Sequence, residues 1–194
     1  MSNSKPSREN LLDKVLREYS SLLQRRPVLT KSISSASISA IGNLFSQYLA
    51  PQPGSQGRIV WRSTFAYAFF GLVVNGPVIH HFYTYLDKVL PKKKDNTSAI
   101  KRVLFDRFVF APPYLLVYLY VISLLEGHGT AGAKQKVKDV YWMLLKLNWK
   151  VWTFVQYFNL TYIPAKYRLL FGNLVALIWT TYISVKRNKM LVSK

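Results

Sequence analysis

FVFAPPYLLVYLYVISLL, residues Phe108–Leu125, holds no charged side chain and stops at Glu126-Gly127. A helix needs about 20 mostly apolar residues to cross the roughly 30 Å of hydrocarbon in a bilayer. Three further stretches are equally free of charge and flanked by basic residues: Ser32–Gly57, Ser63–Leu86 and Leu169–Val185. A soluble domain rarely keeps four such windows. The pattern predicts an all-α integral membrane bundle of about four spans, near 32–50, 63–86, 108–125 and 169–185, forming one membrane domain over residues 1–194.

Composition supports this reading. Half of the chain is hydrophobic, yet 27 Lys and Arg stand against 8 Asp and Glu. A nucleic-acid binder gathers its basic residues on a recognition face. Here they sit between apolar windows, which suits anionic headgroups, so membrane lipids are the expected partners and nucleic acid is not. The chain has no cysteine, which excludes disulfides, thiol catalysis and sulfur-based zinc sites. The N-terminus has no apolar core of a secretory signal, and it carries Glu9, Asp13 and Glu18, unlike an acid-poor mitochondrial presequence. The end, Val192-Ser193-Lys194, is not the Ser-Lys-Leu address.

Outside the windows, Leu11, Leu12, Val15, Leu16, Tyr19, Leu22 and Leu23 recur at helical spacing. With Ser7 as a candidate N-cap and Pro27 as a stop, they predict an N-terminal amphipathic helix within 1–31. Lys134, Lys138, Lys146 and Lys150 form a stripe around Trp142 and predict an interfacial helix. Val151–Ala165 is uncharged but short; a half-span, a re-entrant piece and an extension of that helix all fit 134–165. Gly76-Pro77 predicts a kink or break in the second window, and Ala111-Pro112-Pro113 a distorted first turn or a start in the third. Lys and Arg favour the N-terminus, the 87–107 loop and the C-terminal tail two to one over the remaining segments. With four spans, that bias places both termini in the cytosol.

No catalytic arrangement stands out, so an enzyme is not expected, and neither is a cofactor. His80, Thr84 and Asp87 could share a helix face, but a metal would need more ligands. The polar residues of the windows are the better lead. Ser35, Ser39, Asn43 and Ser46 lie on one face of the first window. Gln47, Asn75, His80, Gln156, Asn159 and Asn173 also lie in or beside apolar stretches. Each costs free energy in hydrocarbon unless bonded or wetted, so each should face the interior. Two readings stay open: cross-helix bonds that fix packing, or the lining of a water-filled path. Ser35, Ser39, Asn43 and Asn75 are candidate lining residues; Gln156, Asn159 and Arg168 are candidates at one mouth, where Arg168 could instead pair with Asp106. Small residues at steps of four, Ser32, Ala36, Ala40 and Gly172, Ala176, Thr180, mark faces for close helix packing or subunit contact.

Several motifs then align in order along the chain. Pro27-Val28-Leu29-Thr30-Lys31, Gly76-Pro77 with His80 and Tyr83, and Asp106-Arg107 with Ala111-Pro112 are three of them. Asn148-Trp149-Lys150-Val151-Trp152, then Gln156, Asn159, Ile163-Pro164 and Tyr167-Arg168 follow. Together they resemble the Mpv17/PMP22 family of small four-span organelle membrane proteins. Where that family usually has a proline after the second tryptophan, this chain has Phe154, which removes the ground for a kink there. The resemblance implies a peroxisomal membrane protein that forms a homo-oligomeric channel for small metabolites and is inserted by the peroxisomal membrane-protein import machinery. A mitochondrial inner-membrane location and a non-transporting structural or adaptor role are the alternatives.

Overall fold

The computed structural model describes residues 11–52, 55–91 and 96–178, all of it helices and connecting turns. Part of the fourth window, the C-terminal tail, Ser7 and Lys92-Lys93-Lys94 lie outside the described residues. Six helices follow: α1 (Leu11–Arg25), α2 (Pro27–Leu49), α3 (Trp61–Val89), α4 (Thr97–Leu125), α5 (Gly129–Tyr162) and α6 (Arg168–Ile178). Pro27 sits in the first turn of α2, where its missing N–H costs nothing, and Arg26 divides α2 from α1. Thr30 ties the junction by donating its hydroxyl to Leu22 O (3.0 Å) and Arg26 O (2.8 Å).

Two of these helices, α3 and α4, are long and apolar enough to cross a membrane. Neither breaks at its proline. In each, a wide π turn precedes it: Gly71–Asn75 ahead of Pro77 and Asp106–Phe110 ahead of Pro112. Gly76 N–H bonds Gly71 O, and Ala111 N–H bonds Asp106 O. A proline ring collides with the carbonyl four residues back. One extra residue in the turn relieves that collision and keeps the helix going.

The first π turn is also where α2 and α3 come closest. A Cβ added to Gly71 would lie 2.8 Å from Ala36 Cα, and one on Gly76 would lie 2.4 Å from Ser32 Cα. The small-residue face of the first window therefore meets α3 of its own chain. Gly172, by contrast, has open space around its Cβ position, and Thr180 lies outside the described residues.

Sorting by exposure gives α2 an inverted polarity. Its buried residues are Thr30, Lys31, Ser32, Ser35, Gly42, Asn43 and Gln47. Its exposed large residues are Leu29, Ile33, Ile41, Phe45 and Tyr48. Phe65 and Phe69 on α3 and Phe108, Val109 and Leu116 on α4 also point outward. An apolar outside around a polar inside is the arrangement that suits a hydrocarbon solvent.

Residues 134–162 lie in one continuous helix, so 151–162 extends the lysine-bearing helix, and 163–165 form the turn that follows it. This helix runs antiparallel to α4: Lys136 Nζ reaches Glu126 Oε2 (3.1 Å), Tyr141 Oη reaches Pro112 O (3.2 Å), and Trp149 Nε1 reaches Arg107 O (2.8 Å). It passes Phe154, an exposed residue, without interruption. The buried apolar cluster is small and lies near the Asp87 end, where Tyr83, Leu86, Val103 and Leu160 pack with Phe82, Phe105 and Tyr157 around them.

Candidate functional site

Polar groups run the depth of the bundle in three linked layers. The steps of four along α2 put Lys31, Ser35, Ser39, Asn43 and Gln47 on one face; Ser39 is half-buried and the others are buried. From Lys31 to Gln47 that column is about 24 Å long at 1.5 Å per residue.

At one end, α2 meets the start of α3 and the turn between α4 and α5. Gln47 Nε2 donates to Asn43 Oδ1 (2.6 Å) and Thr64 Oγ1 (3.1 Å), and its Oε1 accepts from Val60 N–H (2.6 Å). That last bond satisfies a backbone donor at the entry to α3, which has no side-chain cap there. Thr64 Oγ1 donates to Asn43 Oδ1 (3.0 Å), Asn43 Nδ2 to Ser63 Oγ (3.1 Å), and Ser63 Oγ to Glu126 Oε1 (2.8 Å). Arg62 Nε closes the layer on Leu125 O (2.9 Å).

In the middle, the first π turn ends on Asn75 and aims it inward. Asn75 Nδ2 donates to Ser35 Oγ (2.6 Å) and Asn173 Oδ1 (3.3 Å), while its Oδ1 accepts from Tyr114 Oη (2.7 Å). One amide thus joins α2, α3, α4 and α6.

At the far end, Asp87 receives two arginines. Arg102 Nη2 bonds Asp87 Oδ1, and Arg168 Nη1 lies 3.2 Å from the same oxygen. Arg102 Nη1 also donates to Leu90 O (2.7 Å), and both guanidiniums are buried. Tyr83 Oη accepts from Gln156 Nε2 (2.9 Å), and the Arg168 guanidinium stands 5.7 Å over the Tyr83 ring. Asn159 Nδ2 donates to Arg168 O (3.3 Å), pinning the start of α6. Asp106 pairs with its neighbour Arg107, which bonds Asn148 Oδ1 (2.8 Å).

The residues at the expected mouth, Gln156, Asn159 and Arg168, do come together, and so do Asn75 and Ser35. Arg168 meets Asp87 and not Asp106, so the ion pair expected for it has a different partner. His80 stands beside a lysine, with Lys31 Nζ 3.0 Å from His80 Nδ1, and Thr84 Oγ1 donates back to His80 O (2.9 Å). Among the described residues no His/Cys/Asp/Glu group fits a metal ion. Trp152 is half-buried, and Pro164 is exposed in the turn before α6, its carbonyl accepting from Tyr167 N–H (2.9 Å). Tyr167 shares a hydrogen bond with Ser20 (2.5 Å), joining α1 to that turn. This bond, together with Lys166, sets its phenol pKa below the ordinary value. Sequence reasoning missed Thr64, Tyr114 and Arg102. Tyr114 and Thr64 carry hydroxyls inside apolar windows, a signal that was there to find; Arg102 was hidden among loop lysines.

The chemistry of the arrangement is that of hydrogen bonding: amides, hydroxyls and guanidiniums held in low dielectric, most of them bonded to one another. Asn173 Nδ2 and Asn159 Oδ1 are buried without a partner among the described residues.

Comparison with known proteins follows the same motifs. The model of the Mpv17 / PMP22 family matches residues 123–184. The chain is 37% identical over 174 residues to peroxisomal membrane protein 2 of Bos taurus, covering 88% of each. It is 31% identical over 189 residues to PXMP2/4 family protein 3 of Dictyostelium discoideum, covering 97% of this chain and 98% of that one. It is 32% identical over 173 residues to mitochondrial inner membrane protein Mpv17 of Xenopus laevis, covering 89% and 97%. No solved structure matches.

Proposed function

The chain belongs to the Mpv17/PMP22 family, and from that premise we propose that it is a multi-pass protein of an organelle membrane that lets small polar metabolites cross passively. The peroxisomal membrane is the first choice of location, by similarity to a peroxisomal membrane protein, and the mitochondrial inner membrane the second. The observation that carries the reading is the α2 column: hydrogen-bonding groups from Lys31 to Gln47 over most of a bilayer's depth, inside an apolar shell. Such groups can replace part of a solute's hydration shell.

The bundle we propose has five crossing helices, α2 to α6, in place of four. Since α5 lies along α4 from Glu126 to Arg107, it crosses wherever α4 does. Then α6 starts at the Asp87 end and runs back, past Asn75 at Asn173 and past Gly42 at Leu177. By Ile178, its last described residue, α6 has run from the Asp87 end to the level of Gly42, and we propose that the chain beyond it completes the crossing, which puts the start of α2 and the C-terminus on opposite faces. Arg25 and Arg26 precede the start of α2, Lys88 and Lys101 adjoin the Asp87–Arg102 pair in sequence, and Lys166 precedes α6, all at the Asp87 end, which we assign to the cytosol.

Purified full-length protein in liposomes should release small polar solutes and retain large ones. Equal retention of both would end the channel reading. A second reading, a structural or adaptor protein, draws on the mutual saturation of the column. Asn75→Leu separates the two. If the amide only packs helices, the variant misfolds; if it serves passage, a folded protein with altered flux results.

A further inference from the structure

The lysine stripe of α5 faces outward beside the most apolar part of the molecule. Lys134, Lys138, Asp139, Trp142, Lys146 and Lys150 are all exposed. The bonds between α4 and α5 fix their depth. Lys138 lies between the levels set by Lys136–Glu126 and Tyr141–Pro112. Lys146 lies between Tyr141–Pro112 and Trp149–Arg107. Both fall alongside the charge-free window Phe108–Leu125, whose outward residues at that depth include Phe108, Val109, Leu116 and Val117. At one level, then, the molecule turns an apolar face one way and a charged face another.

Hydrocarbon can cover only the first. A lysine near the centre of a span is costly to place against lipid. Lys134 and Lys150, nearer the ends, can reach headgroups with their flexible stems. Lys138 and Lys146 are deeper. They share their face with the ionisable Asp139, which accepts a bond from Gln135 Nε2 (2.7 Å). Trp142 and Met143 are exposed between these two lysines, so the face is mixed; its charged groups need water, and water at that depth needs protein on its other side.

We infer that the outer face of α5 lines an aqueous path enclosed between copies of this chain, and that its lysines select small anions. The inference rests on the channel reading and deepens it: beside the polar α2 column inside each chain, a path for anions runs along α5 between chains. Four lysines against one aspartate per copy enrich organic and inorganic anions over cations in the lumen.

The test uses the full-length protein in planar bilayers under a potassium chloride gradient, beside the double variant Lys138→Glu/Lys146→Glu. Both sites are exposed, so the variant keeps its fold and oligomer mass. The wild type should prefer chloride to potassium, and the variant should lower that permeability ratio on the order of tenfold, the low end of counter-ion enrichment in charged clefts. The natural absence of cysteine allows a second measurement. In proteoliposomes, a membrane-impermeant maleimide should label Lys138→Cys and spare Leu116→Cys. A conducting channel with unchanged selectivity, or equal protection of both thiols, overturns this inference and leaves the channel reading standing. No conductance from the wild type sinks both.

Discussion

Asp87 shows how much one side chain holds at the basic end. It is the carboxylate shared by Arg102 and Arg168, two buried guanidiniums from α4 and α6. Removing one member of such a group leaves charge without a counter-ion, a loss of about 3–5 kcal/mol for a fully buried pair. Asp87 is partly exposed, so Asp87→Asn should cost about 3 kcal/mol, the low end of that range, read as a lower unfolding midpoint in detergent. Gly76 makes a steric prediction. The Cβ of Gly76→Ala would fall 2.4 Å from Ser32 Cα, backbone that cannot swing aside. Overpacking of this kind costs about 1–3 kcal/mol. Gly172→Ala, with open space at its Cβ, should leave the midpoint unchanged. Local spacing could show that Ser35, Asn43 and Gln47 share a face, because four-residue steps are a property of the helix itself. It could not choose Asp87 over Asp106 for Arg168, since that choice depends on where α3 and α6 cross.

Individual helices differ in how well the sequence announced them. The apolar windows of α3 and α4 are visible because nothing in them competes with the hydropathy signal. The unity of α5 is not: its lysines and uncharged C-terminal part read as two objects, and only packing against α4 makes them one. The prolines give a similar lesson. They mark a disturbance, but whether it becomes a kink or a π turn depends on whether an extra residue can be absorbed, as it is at Gly71–Asn75 and Asp106–Phe110. The direction of α6 carries its own prediction. With five crossings, protease-accessible tags on the N- and C-termini should lie on opposite faces of the organelle membrane. Equal accessibility from the cytosol would restore the four-span topology that the loop charges alone suggest.

For the molecule as a whole, the sorting of residues is reversed relative to a water-soluble fold. Among the described residues the largest fully buried side chain is that of Arg102, and the exposed ones include Phe65, Phe108 and Phe154. The expected outcome of alkaline carbonate washing is retention in the membrane pellet. Recovery in the aqueous fraction would overturn the bilayer assignment. That overall class was legible from four charge-free windows. Counting by hydropathy passes over a helix that is charged on its outer face, so the crossing proposed for α5 has no charge-free window to announce it.

The π turn at Gly71–Asn75 also sets where the chain can change length. It absorbs one residue, so the helix beyond it keeps the phase of a regular helix one residue shorter. Deleting one residue there would let α3 revert to uniform coiling with Tyr83 still at Gln156 and Asp87 still at both arginines. One residue lost from the regular turns between Pro77 and Tyr83 would instead swing everything downstream by about 100° at 3.6 residues per turn. Single-residue deletions inside the π turn should therefore be far better tolerated than those just after it, a fragility of phase and not of composition.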